Sequence, residues 1–230
     1  CPALLTVLDE VSDRTPVIVA VVDHVGADLF EFDHLDLTEI GSVKGEHIQT
    51  HRHTGGDQAG YQRRAEAVHE RNADTIARQI TEHAVVSEAR LVVLTGDDRE
   101  AGAVTDHLDT HRFSVVSVQA GARHDPDLTE RLHQAATEQV LTDRRARSAA
   151  AIDHLREEIG RRALGIEGRY ATTIAIAESR VATTFVDRAV AAADTDTIAR
   201  DTLLFGGAVV VADDLGVTDG VAALLRYATH

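Results

Sequence analysis

The sequence predicts an α/β protein of two domains, each a mixed sheet with flanking helices. Three observations carry that expectation. Short β-branched runs, Pro16 to Asp23 (PVIVAVVD), Arg90 to Thr95 (RLVVLT) and Phe113 to Val118, alternate with stretches of helical periodicity. That alternation is the pattern of parallel strands joined by crossover helices. A second, smaller set of helix and strand patterns begins after about residue 160, and a hydrophobic share of 43% over 230 residues is enough to build two cores. The expected division is residues 1–150 and 151–230, the boundary falling in the stretch 145–160.

Taken in order, Pro16 to Asp23 reads as a buried strand and Ala27 to Phe32, after Gly26, as its hairpin partner. Asp36 to Lys44 alternates loosely and fits a third strand. From Gly45 to Gly60 the pattern disappears into GEHIQTHRHTGGDQAG, polar and rich in His and Gly, expected to be a long exposed loop. Tyr61 to Val86 is a helix by the spacing of Tyr61, Ala65, Val68, Ala73, Ile76, Ile80 and Ala84. Arg90 to Thr95 is a strand ending in Gly96-Asp97-Asp98, Arg99 to Leu108 a helix, Phe113 to Val118 a strand, and Asp127 to about Gly160 a long helix. Beyond it, Gly168 to Glu178 and Asp194 to Leu204 read as helices. Val181 to Asp187 and Gly207 to Ala212 read as strands, and Val217 to Tyr227 closes the chain, together a small αβα sandwich.

Composition narrows the class. The formal net charge is −15, and Lys44 is the sole lysine. A carboxylate-rich, lysine-poor surface stays hydrated when salt screens its self-repulsion, which is the style of a salt-accumulating halophile. In molar salt the counterion-release term is weak, so the average charge says little about nucleic-acid binding and local arginine clusters say more. No apolar run approaches the roughly 18 residues of a membrane span, and no leader is visible; a cytoplasmic protein without a membrane partner is expected. The single cysteine, Cys1, rules out an internal disulfide and a Cys-rich zinc site. The chain begins at Cys1 and holds no Met, so a fragment or processed chain, with an N-terminal domain missing, is expected.

From the long loop into the helix, His53 to Glu66 reads HTGGDQAGYQRRAE, the helix goes on to carry Asn72-Ala73, and the strand Leu91 to Thr95 and Gly96-Asp97-Asp98-Arg99 follow. The C-terminal stretch Asp219 to Tyr227 reads DGVAALLRY. This motif order resembles the middle and C-terminal domains of the archaeal and eukaryotic class-I peptide release factors, and within them the bacterial and archaeal release-factor-like branch. The resemblance implies a release-factor middle domain followed by an αβα sandwich related to kink-turn-binding ribosomal proteins, and it extends over roughly residues 16 to 228. In true release factors the loop tip is Gly-Gly-Gln, whose Gln meets the ester joining peptide to tRNA. Here Gly55 and Gly56 match the glycines, Asp57 stands at the Gln position and Gln58 comes one residue late.

An ionised carboxylate is acceptor-only. At that tip it would face RNA phosphates and a developing oxyanion, both negative. The resemblance therefore implies a ribosome-associated translation factor that binds the A site in rescue or hibernation, with rRNA and tRNA as contacts and a translational GTPase as a partner through the C-terminal domain. The alternative is an active peptidyl-tRNA hydrolase that uses Gly55, Gly56 and Gln58 after a one-residue shift of the loop.

Other clusters have two readings each. Arg52, Arg63 and Arg64 flank the loop and suit RNA phosphates by their fork geometry; the alternative is a solvated helix face with Arg63 pairing to Glu66 or Glu70. Arg144, Arg145 and Arg147 read as a solvated helix face. His47, His51 and His53 could converge on a metal, with Glu46 or Asp57 completing the set, which would make a metal-dependent hydrolase; in a chain of 13 histidines a polar loop is the favoured reading. Gly96-Asp97-Asp98 could hold magnesium with Asp23, but such a turn more often caps the following helix. There is no phosphate-cradling loop, no dinucleotide fingerprint and no Ser-His-Asp order, so no cofactor is expected.

Overall fold

The computed structural model of the chain describes residues 16–33, 36–46, 58–123, 125–190 and 192–228. These residues divide into two compact units, one ending at Asp143 and one starting at Arg144. The two-sheet α/β architecture expected from the sequence is the one observed.

The first unit is built on β1 (Val17–Asp23), β2 (Gly26–Asp33), β3 (Asp36–Lys44), α1 (Gln58–Val86), β4 (Leu91–Gly96), α2 (Asp98–His107) and β5 (Ser114–Ser117). Its sheet has the order β3-β2-β1-β4-β5. The hairpin strands pair antiparallel, and β1–β4 and β4–β5 pair parallel. Val17 to Val22 are buried along their whole length, which is why this central strand reads as one continuous apolar run. Alternation sorts its side chains. Ile18, Ala20 and Val22 pack with Ala73, Ile76, Ile80 of α1 and Ala101, Val104 of α2. Val17, Val19 and Val21 pack with Leu128, Leu132 and Ala136 on the opposite face.

Those last residues open α3 (Leu128–Gly160), a helix of 33 residues within which the division between units falls. The second unit continues with β6 (Gly165–Glu167), α4 (Arg169–Ala177), β7 (Val181–Asp187), α5 (Ala192–Leu204), β8 (Ala208–Ala212), a 3-10 turn at Thr218–Gly220 and β9 (Val221–Leu225). Its sheet has the order β6-β9-β7-β8, with β9 antiparallel to both neighbours and β7–β8 parallel. Val221, Ala223 and Leu225 face Ala175 and Ile176 of α4 and Ile198 of α5. Phe185 and Ala222 face Leu155 of α3.

Two expectations need correction. Gln58 to Gly60, assigned to the loop, form the start of α1. Gly60, a residue that reads as a breaker, is buried there within the helix. The strand β6 was not expected; at three residues it is too short for a period-two pattern. It follows the helix so tightly that a side chain at Gly165 would put its Cβ 2.4 Å from the Ile159 nitrogen.

Candidate functional site

The segment between β3 and α1 holds most of the sequence-derived site residues, and its two roots are described. Gly55, Gly56 and Asp57, together with Arg52, His47, His51 and His53, lie outside the described residues. Gln58 is the first residue of α1.

The root at β3 is tied down in detail. Asn72, buried on α1, accepts a hydrogen bond from the Glu46 backbone N–H (2.8 Å) and donates from Nδ2 to the Glu46 carbonyl (3.3 Å). One amide thus satisfies both polar groups of a single peptide residue, which neither strand nor helix would otherwise serve. Arg71 adds an exposed ion pair to the Glu46 carboxylate at 2.9 Å. The Gly45 N–H donates to the Val25 carbonyl at 2.7 Å, so the exit of β3 is also held to the β1–β2 turn. Gly45 is required by this arrangement, because an added Cβ would fall 2.6 Å from Asn72 Nδ2.

Beside this root lies a half-open polar cleft of about 530 Å³, walled by Glu46, by Gln62, Glu66, His69 and Asn72 along α1, and by Arg99 and Glu100 of α2. The α1 residues recur at helical spacing and so share one face. His69 Nδ1 stands 2.7 Å from the Glu100 carboxylate, and His107 Nε2 is 3.1 Å from Glu70. These two pairs cross-brace the middle of α1 against the two ends of α2.

The remaining candidates are placed as follows. Arg63 and Arg64 are exposed on the second turn of α1, and Glu70, one suggested partner of Arg63, pairs with His107. Asp97 caps α2 by accepting from the Arg99 and Glu100 N–H groups, and Asp98 accepts from Gln119. Asp23 is held by Arg123 and by the Val25 N–H. The three aspartates therefore serve structure. Among the described residues no group of three or more His, Cys, Asp or Glu side chains could hold a metal ion. Gly96 adopts φ +111°, and a Cβ there would meet the Val22 carbonyl at 2.1 Å, so this glycine serves the β1–β4 approach and the turn into α2. Arg145 and Arg147 lie exposed on α3 as expected, but Arg144 is half-buried. Its pKa is lowered, first by desolvation and then by Arg188 and Arg147.

Sequence reasoning quoted Asn72 as part of a motif order without giving it a role. The available signal was an amide on the face of α1 where Ala73, Ile76 and Ile80 pack inward.

The family model for bacterial archaeo-eukaryotic release factor family 2 matches residues 16–161. The chain belongs to that family. The match takes in the whole first unit and the helix α3. No curated protein matches significantly. Among solved structures, the chain is similar to a ribosome-bound archaeal Pelota described together with ABCE1. The TM-score is 0.65 at 14% identity, covering 95% of this chain and 63% of that one. It is also similar to Dom34 of S. cerevisiae, described as a translation termination-like factor involved in RNA quality control pathways and interacting with Hbs1, at TM-score 0.61 and 11% identity, covering 96% and 64%. Pelota of Archaeoglobus fulgidus gives TM-score 0.54 and 15% identity, covering 100% and 71%. The chain spans less than two thirds of the first two of these proteins. At such identities the likeness is one of fold, and it extends through the second unit, beyond the family match. Among the described residues no helix is long and apolar enough to cross a membrane.

Proposed function

We propose that this family 2 member is a cytoplasmic, ribosome-associated factor that occupies the A site in rescue or hibernation, with the Gly55-Gly56 segment as its contact element. The observation that carries this reading is the family match over residues 16–161, which includes the Gly-Gly segment and both of its roots. Three further points support it. The root at Glu46 is held by Asn72 and Arg71, an anchoring suited to a segment that must present itself to a partner. Arg63 and Arg64 are exposed one turn beyond the other root, where they suit rRNA or tRNA phosphates. The fold is shared with a ribosome-bound Pelota and with Dom34, and a translational GTPase engaging the second unit follows by analogy with the Dom34–Hbs1 interaction.

Docking without hydrolysis is the expected mode. Asp57 brings a negative acceptor to the place where a releasing factor needs a neutral amide. The experiment is co-sedimentation with ribosomes in high-potassium buffer, wild type beside Gly55→Ala/Gly56→Ala, with peptide release measured on the same complexes. Binding by wild type, loss in the double variant and no release would support the reading. Absence of wild-type binding would remove it. Release that disappears with Gln58→Ala would replace it by the hydrolase.

A further inference from the structure

Resting on that reading, we propose that Asn72 is the positioning residue of the Gly-Gly segment: its side-chain amide, seated against Gly45, fixes the direction in which the chain leaves β3 towards residues 47–57. Four observations combine. Among the described residues of the first unit the buried polar ones are Asn72 and Thr95, and the Asn72 amide is committed to the backbone of one residue, Glu46, as both acceptor and donor. Residue 45 carries no Cβ, and a Cβ there would collide with all three heavy atoms of that amide group, at 2.6 to 3.0 Å. The peptide unit just before is held as well, by Gly45 N–H to Val25 O. Asn72 is itself immobilised, since its neighbours Ala73 and Ile76 are in the core with β1.

The chemistry explains why the residue is an amide. Glu46 offers an N–H and a carbonyl, so the clamp needs an acceptor and a donor a few ångströms apart on one rigid group, and a planar amide supplies both. An aspartate supplies the acceptor and loses the donor, and an apolar side chain loses both. Arg71, adjacent in sequence, restrains the Glu46 side chain but not its peptide. The backbone is therefore held by Asn72 and the side chain by Arg71, and the two contributions separate by mutation.

The test uses the full chain with Cys1→Ser and a nitroxide on Thr54→Cys, beside a control label at Glu82→Cys on α1. Electron paramagnetic resonance reads label mobility, and ribosome co-sedimentation reads affinity. The expected result for Asn72→Leu is a more mobile label at position 54, an unchanged label at 82 and about tenfold weaker ribosome binding. Asn72→Asp falls between it and wild type, and Arg71→Ala weakens binding less than threefold. Gly45→Ala pushes the amide from the opposite side and gives the Asn72→Leu result without altering α1, which covers the case of an Asn72 variant that does not fold. Equal mobility at position 54 in wild type, Asn72→Leu and Gly45→Ala overturns the inference, whatever the ribosome does. If wild type fails to bind ribosomes, the functional reading falls and the mobility measurement still decides the role of Asn72.

Discussion

Arg123 gives the sharpest test of how the first unit is held together. Its guanidinium donates to both oxygens of Asp28, Nε at 2.9 Å and Nη2 at 2.6 Å, and Nη1 reaches Asp23 at 3.2 Å. One fork therefore ties the turn end of the β1–β2 hairpin to the chain that follows β5. The side chains are 13% exposed for Arg123 and 23% and 22% for the two acids. Breaking a fully buried pair costs about 3–5 kcal/mol, chiefly because a charge is left without its partner. Carboxylates that keep about a fifth of their exposure recover some hydration, which lowers the expected cost of Arg123→Ala to about 2–3 kcal/mol. Arg123→Lys keeps the charge and loses the bidentate geometry, so it should recover about half.

The hydrogen bonds and charge of Asp28, and then Asp23, raise the Arg123 pKa against the opposing effect of burial. A raised cation contributes fully below its unfolded value and loses that contribution only as pH rises through the folded one. The stabilisation therefore persists across the neutral range and ends at strongly alkaline pH. The assay is equilibrium denaturation followed by circular dichroism at low and high salt, with the two units allowed separate transitions. A loss below about 0.5 kcal/mol for Arg123→Ala would refute the reasoning, as would Arg123→Lys indistinguishable from wild type.

In the second unit, Thr202 Oγ1 donates to the Ile198 carbonyl, so in its 2.8 Å contact with Thr184 it must accept, and Thr184 is the donor. Thr202→Val strands a buried hydroxyl donor and should cost about 2 kcal/mol, Thr184→Val about 1 kcal/mol, and the double variant less than their sum; strict additivity in a denaturation cycle would contradict the assignment. Asp125 accepts from the Ala122 N–H and, at 2.6 Å, from Arg131, and these bonds lower its pKa, the backbone one most. Its contribution is present above the unfolded carboxylate value and lost as pH falls through the folded one. Carbon-detected titration should place Asp125 below a free aspartate, and Arg131→Ala should return it part of the way, full return being the result against this ordering of causes.

Much of the fold was legible because the period of the apolar residues matches the elements they form. Val181 to Asp187 and Asp36 to Lys44 were read as strands with the observed ends, although the second is a half-exposed strand with weak alternation. The start of α1 was not legible. Gln58, Ala59 and Gly60 carry no large apolar side chain, and periodicity needs one. β6 escaped for want of length. The sheet order of the second unit could not come from a single chain, because the pairing of β9 with both β6 and β7 is long-range and leaves no local mark. At the candidate site, the glycines and arginines stood out by type, whereas Asn72 and Gly45 acquire meaning only as a pair 27 residues apart, once the helix has brought them together.

The position of β9 has a consequence for synthesis. Val221 to Leu225 lie inside their sheet, between β6 and β7, although they are made after every other strand described in the unit. Until those five residues emerge, β6 has no partner, β7 has one free edge, and Phe185 and Ile198 lack the strand that covers them. The second unit therefore cannot mature from its N-terminal side as it is translated. It must wait open and close in a single late insertion, exposing a strand edge of the kind that recruits chaperones or neighbouring chains.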